Sequence, residues 1–262
     1  MAITVAAAQL RSTSEPAANL DLVTEWAERA AQGGADLVVF PEATMANFRT
    51  TLAEVAQPLD GPFVTGLREA ARDVGLWLVA GVFEPADDGR VHNTAVATNG
   101  EDLHSYRKIH LYDSFGSQES RTVAPGHDLV TFEALGTTIG LATCYDVRFA
   151  EQFIGLRRAG AEVICLPTSW GDGPGKDEQW NLLVRARAMD AQAVLIGADQ
   201  AGDPSRPDDE AERSTAPVGV GQSLVAGPFG AVLAQAGLDE ELLVTEVDLD
   251  SVRRARSAIV MD

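Results

Sequence analysis

The sequence predicts an α/β fold with a mixed sheet folded into two layers, and three observations carry that expectation. Apolar runs of strand length alternate with helical patterns along much of the 262 residues. One of those runs, "ADLVVFPE", is apolar throughout, as a strand covered on both faces must be. Hairpin signals between the alternating units add antiparallel pairs. No repeat, low-complexity tract or change of composition divides the chain, so residues 1–262 read as one domain.

In chain order, "AITVAAAQL" reads as a buried strand. "SEPAANLDLVTEWAERAAQGG" has a helical period, with Leu20, Val23, Trp26, Ala27 and Ala30 on one face. Ser14 is its candidate cap and Gly33-Gly34 its stop. After the strand "ADLVVFPE", a helix from about Thr65 to Asp73 leads into "LWLVAGVFE". Asn99-Gly100 between two strand patterns predicts a hairpin. "LVTFEALGTTIGLATC" predicts a second antiparallel pair, turning near Leu135-Gly136. "RFAEQFIGLRRAG" is then helical, "AEVICLPTS" a strand, "DEQWNLLVRARAMDA" helical and "AVLIGADQ" a strand. "GQSLVAGPFGAVLAQAG" and "ELLVTEVDL" close the chain as antiparallel strands before a short charged helix at "SVRRARSA". Residues 201–219, charged and holding three prolines, read as a surface loop; whether it covers a pocket stays open.

Composition excludes several classes. Acidic residues outnumber basic ones 39 to 20, for a formal charge of −19, which argues against nucleic acid or an anionic membrane as partner. Two cysteines without framework spacing fit a reducing cytoplasm. The N-terminus lacks a basic region before its apolar run, and no apolar run reaches the roughly 18 residues of a membrane span. A soluble, cytoplasmic protein is expected. Of the 20 basic residues just two are lysines, Lys108 and Lys176. Against so many arginines, a lysine hints at a position that needs an amine.

Three predicted strand ends carry reactive groups: Glu42 after "LVVFP", Lys108 at the end of "LHSYRK", and Cys144 after "IGLAT". Ligands in α/β sheets collect beyond such ends. Taken singly, each residue has a plain reading: a buried thiol, a solvated carboxylate, a solvated lysine. Together they cover a reaction. A thiolate attacks, and a nearby base or cation helps to form it. Attack on an amide carbonyl makes an oxyanion that needs fixed donors, such as an ammonium and a backbone N–H. A carboxyl group moves protons to the leaving amine and from water. Cys165, in wholly apolar "VICLP", lacks such partners in sequence.

These motifs resemble the nitrilase superfamily of carbon–nitrogen hydrolases nearly end to end. "VVFPE" is similar to its glutamate motif, "YRKIHLYD" to its lysine motif and "ATCYDVRFAEQF" to its nucleophile elbow. "AAAQL", "HNTAVA", "RARAMDAQAVLIGADQ" and "GQSLVAGPFGAVLA" match further blocks in order. The resemblance implies a four-layer α-β-β-α sandwich with mixed sheets, paired through a helical face into a homodimer or larger homo-oligomer. It implies Cys144 as nucleophile, Glu42 as general base and acid, and Lys108 as oxyanion stabiliser, with the backbone N–H of Tyr145 as second donor. "FGSQESRTVAPG" resembles the segment supplying a further active-site glutamate, here Glu119. The implied reaction is hydrolysis of a small-molecule amide to acid and ammonia through a thioester, with no cofactor.

"CYDVRF" resembles the amidases near the ω-amidases and deaminated-glutathione amidases; N-carbamoyl compounds and nitriles stay open as substrates, as does a weakly active binding protein. The sequence departs from the family at Ala150, where proline is common, and in "PEATMANFRT" after the glutamate. By the same resemblance Ser169 and Trp170 line the pocket. Asp146 and Arg148 read as a structural ion pair, and Lys176 as a solvated loop lysine rather than a contact for an anionic substrate. "GDGPGKDEQ" is no phosphate loop, because its glycine spacing is wrong and Asp177 follows the lysine. The four histidines lack metal-ligand spacing. A Cys–His hydrolase using His110, two residues from Lys108, is the rival chemistry.

Overall fold

In the computed structural model, which describes residues 1–204, 209 and 217–261, two six-stranded mixed sheets face each other between outer helices. The first contains β1 (Ala2–Gln9), β2 (Leu37–Val39), β3 (Trp77–Pro85), β4 (Val91–Thr98), β5 (Leu103–Arg107) and β12 (Glu241–Asp248). The second contains β6 (Val130–Ala134), β7 (Thr137–Leu141), β8 (Val163–Thr168), β9 (Val194–Asp199), β10 (Leu224–Ala226) and β11 (Val232–Gln235). Their orders are β12-β1-β2-β3-β4-β5 and β11-β10-β9-β8-β7-β6. Each sheet has three parallel strands at its centre, β1-β2-β3 and β7-β8-β9, flanked by antiparallel pairs. This is the four-layer α-β-β-α sandwich that the resemblance implies.

The period of two within each strand explains the layers. Val5, Leu37 and Val79 point between the sheets and meet Ile139, Val163, Cys165 and Ile196. Their neighbours Ala6, Val38 and Leu78 point outward under α1 (Pro16–Gln32) and α3 (Pro62–Val74). Ile164, Leu166 and Leu195 do the same under α4 (Ala150–Arg158) and α5 (Lys176–Ala191). Strand β2 is apolar throughout because both of its faces are covered. Short α2 (Leu52–Val55) and C-terminal α6 (Asp250–Ala258) complete the helices among the described residues.

Local chemistry moves some boundaries from their expected places. Glu15, not Ser14, is the cap residue of α1, whose first helical position is Pro16 with its preset φ. Helix α3 starts at Pro62 for the same reason. Asn99 Oδ1 accepts the N–H of Glu101 at 2.9 Å and of Asp102 at 2.7 Å, so a four-residue loop joins β4 to β5. Leu135 and Gly136 have φ of 53° and 71°, as a two-residue hairpin turn requires. Helix α5 begins at Lys176, so that lysine is not in a loop. The question of a cover over the pocket falls largely on residues 205–208 and 210–216, outside the described residues. No described helix is long and apolar enough to cross a membrane.

Candidate active site

Glu42 lies three residues beyond β2, in a segment clamped between the sheets. Its N–H bonds Thr168 O at 3.2 Å, and its carbonyl accepts Gln200 Nε2 at 3.0 Å. Strand β3 runs so close that a Cβ on Gly81 would lie 2.8 Å from Glu42 Cα and 2.7 Å from Ala43 N. Only glycine fits that approach. Ala43 takes φ of 56°, a left-handed conformation that its tight setting enforces.

The carboxylate of Glu42 is fully buried and fully occupied. Oε1 accepts Lys108 Nζ at 2.8 Å and Asn93 Nδ2 at 2.7 Å, and Oε2 accepts the N–H of Ser169 at 3.0 Å. Lys108 follows β5 directly, its N–H held by Asn93 O at 2.8 Å. Its ammonium also reaches both oxygens of Glu119, at 3.0 and 3.2 Å. Glu119 starts a 3₁₀ turn, Glu119–Arg121, and accepts the N–H of Tyr112 at 2.6 Å and Asn93 Nδ2 at 3.1 Å. One ammonium therefore sits between two carboxylates that Asn93 ties together.

Cys144 opens a 3₁₀ turn, Cys144–Arg148, after β7, and its φ is 44°. A cysteine rarely adopts this region, and the cost is sustained by the contacts around it. Asp146 supplies several of them. Its Oδ2 accepts Thr143 N at 2.8 Å and Tyr106 Oη at 2.6 Å, and its Oδ1 accepts the N–H of His110 at 3.0 Å. The expected Asp146–Arg148 ion pair is thus incorrect, because the buried Asp146 is satisfied by these other donors. The Cys144 thiol approaches Ser169 O at 3.7 Å.

The electrostatics suit proton exchange between these groups. Burial lifts the Cys144 thiol well above its ordinary value, and Glu42 adds to this while Lys108 opposes it. Burial also raises Glu42 against the pull of Lys108. Burial alone would discharge Lys108, but Glu119 and Glu42 overturn that and hold the ammonium charged. The cluster thus pairs a neutral thiol with a buried carboxylate able to take its proton beside a permanent cation.

Glu42, Lys108, Glu119, Cys144, Tyr145, Ser169 and Trp170 all line one cavity of about 440 Å³, a volume suited to a small ligand. Tyr145 Oη lies 2.9 Å from Ser114 Oγ. Trp170 Nε1 donates to Lys176 O at 3.0 Å. His110 faces elsewhere: it stacks on Phe149 at 3.6 Å, with Nδ1 2.9 Å from both Asp146 Oδ1 and Gln152 Oε1. Strand β5 ends at Arg107, so the shared strand face that would pair His110 with Lys108 does not exist.

Several residues at the site carry roles that sequence reading passed over. Asn93, in the quoted "HNTAVA", bridges Glu42 and Glu119. Buried Asp199, at the end of β9, accepts Trp170 N at 2.8 Å and Val220 N at 2.9 Å; burial lifts it to about 7 although those N–H groups pull it down. Arg148 and Lys176 also line the cavity. Lys176 is 3% exposed, so the reading of it as solvated is wrong: the helix start turns its side chain under Trp170 and Phe115. The bias toward arginine was the available signal, and both lysines of the chain end on this cavity.

Comparison with known proteins adds three findings. The carbon–nitrogen hydrolase family matches residues 4–257. A hydrolase of Mycobacterium tuberculosis is 48% identical, covering 98% of this chain and 93% of its own, and the deaminated glutathione amidase of Escherichia coli O157:H7 is 32% identical, covering 97% and 94%. The crystal structure of Saccharomyces cerevisiae Nit3, a member of branch 10 of the nitrilase superfamily, superposes with a TM-score of 0.83 at 27% identity, covering 99% of this chain and 95% of that one.

Proposed function

The chain belongs to the carbon–nitrogen hydrolase family, and from that premise we propose that it hydrolyses a small carboxamide to acid and ammonia through a thioester on Cys144. One observation carries the reading: a buried thiol opens onto a cavity beside a carboxylate and an ammonium that are 2.8 Å apart.

The amide carbon lies against Cys144 Sγ. As the sulfur attacks, its proton passes to Glu42, and the carbonyl oxygen gains negative charge. Lys108 Nζ and the Tyr145 N–H stabilise that oxyanion, in a buried setting where fixed charge acts strongly. Glu42 then gives its proton to the nitrogen, the C–N bond breaks, and ammonia leaves an acyl-thioester. Water enters, loses a proton to Glu42 and attacks the thioester carbon. The carboxylic acid departs as the proton returns to sulfur. Glu119 touches no reacting atom; it holds Lys108 charged and aimed.

Ammonia release from a panel of amides, N-carbamoyl compounds and nitriles, compared between wild type and Cys144→Ala, tests this reading. Release from amides that vanishes in the variant is expected. Release from no compound would leave a binding protein, and release that survives in Cys144→Ala would overturn the nucleophile.

We also propose a homo-oligomer. Leu182 and Met189 of α5 are exposed, as are Phe229, Val232 and Leu233, and Met189 packs beside Gly230 between them, an apolar face of the kind that pairs with a second copy. Sedimentation of wild type and Leu182→Glu checks it. Two free thiols fit a reducing, cytoplasmic setting.

A further inference from the structure

We propose that His110 is a positioning residue: its ring Nδ1–H grips Asp146 and thereby sets the segment carrying Lys108 against the turn carrying Cys144. The inference rests on the amidase reading above and adds to it the group that fixes the spacing of the two oxyanion donors.

Asp146 closes the nucleophile turn from both ends. Its N–H bonds Thr143 O at 3.0 Å and its carboxylate accepts Thr143 N at 2.8 Å, with Cys144 and Tyr145 held between. That carboxylate is buried, and Tyr106 Oη, His110 N and His110 Nδ1 also reach it, all from one stretch of chain. Lys108 lies in the middle of the stretch, with its side chain sent to Glu42 and Glu119. Tyr106 and His110 thus fasten the lysine segment, on either side of Lys108, to the turn that presents the Tyr145 N–H.

The hydrogens of this cluster allow one assignment. Tyr106 has a single hydroxyl hydrogen, and the 2.6 Å bond to Asp146 Oδ2 uses it. Burial, with the Asp146 charge adding to it, raises Tyr106 well above its ordinary value, so that hydrogen stays. Tyr106 Oη can then only accept from Gln152, whose Nε2 lies 2.8 Å away. Gln152 Oε1 therefore faces His110 Nδ1 at 2.9 Å, and Asp146 Oδ1 faces the same nitrogen at 2.9 Å. Two acceptors on one ring nitrogen require that it carry a hydrogen. The ring also stacks on Phe149, centres 3.6 Å and planes 8° apart, and the Phe149 N–H bonds Asp146 O at 2.9 Å. A second contact of His110 is thus tied to the same turn.

Without the Nδ1 donor, Asp146 Oδ1 keeps the backbone N–H of residue 110 alone, and the turn drifts relative to Lys108. Both donors act on the oxyanion, so drift weakens the transition state and leaves amide binding little changed.

Nitrogen NMR of histidine-labelled wild type tests the proton without turnover and without depending on any variant. His110, assigned by its loss in His110→Asn, is expected to show a protonated Nδ1. A proton on Nε2 with Nδ1 bare would overturn the proposal. Kinetics test the consequence. His110→Phe keeps the stack and removes the donor, and kcat for a small amide is expected to fall on the order of 10- to 100-fold with KM nearly unchanged. His110→Asn returns an N–H donor and is expected to recover most of that loss. Wild-type kcat in His110→Phe, or no recovery in folded His110→Asn, would overturn the positioning role and leave the amidase reading intact. Release from no amide by wild type would overturn the amidase reading instead, and the nitrogen spectrum would still decide the His110 proton.

Discussion

Cys144 and Cys165 are both buried free thiols at one sheet, Cys144 in the turn that follows β7 and Cys165 on the adjacent β8, where it pairs in register with Leu141, three residues before Cys144. Burial raises the pKa of both thiols above the usual range, making each a weaker acid. Around Cys165 burial is the sole cause, since the side chain points between the sheets among Ile139, Val163 and Ile196. Cys144 stands on a left-handed turn at the mouth of a cavity, with Glu42 and Lys108 at hand. The difference teaches that thiol acidity in the resting protein does not mark a nucleophile. A proton acceptor, a fixed cation and space for a substrate do.

That contrast breaks most completely at Glu42. Glu42→Gln removes the group proposed to take the thiol proton, and kcat is expected to fall by roughly 10⁴-fold, read by ammonia release at saturating amide. Lys108→Met removes one proposed oxyanion donor, for an expected loss of about 10²- to 10³-fold in kcat. It also strands Glu42 and Glu119 without their cation, so thermal unfolding is expected to show destabilisation on the order of 3–5 kcal/mol.

Asp199→Asn has an intermediate effect. Asparagine has one acceptor oxygen where the aspartate uses two, so Trp170 N or Val220 N loses its partner, at a cost of about 1–3 kcal/mol. The Ser169–Trp170 wall shifts with it, lowering kcat. Asp199 also sets a pH dependence. Its value rises from 3.8 to about 7 on folding, so its favourable contribution is complete below pH 4 and is lost as pH rises toward 7. Denaturant titrations of the variant are expected to show a flatter stability across that window. Cys165→Ala has the smallest effect: activity is retained, and stability falls on the order of 1 kcal/mol from a small packing defect.

The order of elements was legible in the sequence because nearly every strand is covered on one or both faces, and covered faces show as apolar runs. Glu42, Lys108 and Cys144 were legible because each ends or follows such a run within a distinctive motif. Other parts of the cavity were not, for reasons of geometry. Asp146 was assigned to Arg148, two residues away, but its carboxylate bonds Tyr106, 40 residues earlier. Lys176 follows a glycine-rich stretch typical of solvated loops, and only the start of α5 beneath Trp170 turns it inward. Asn93 looked like one polar residue in a strand, because its task requires β4 to lie beside β5 and bring Lys108 to Glu42.

The most direct measurement is peptide mass spectrometry of enzyme acid-quenched during turnover of a small amide. The predicted result is the acyl mass on the peptide bearing Cys144, present in wild type and absent in Cys144→Ala. An acyl group on the Cys165 peptide, or sustained turnover with neither cysteine acylated, would contradict it.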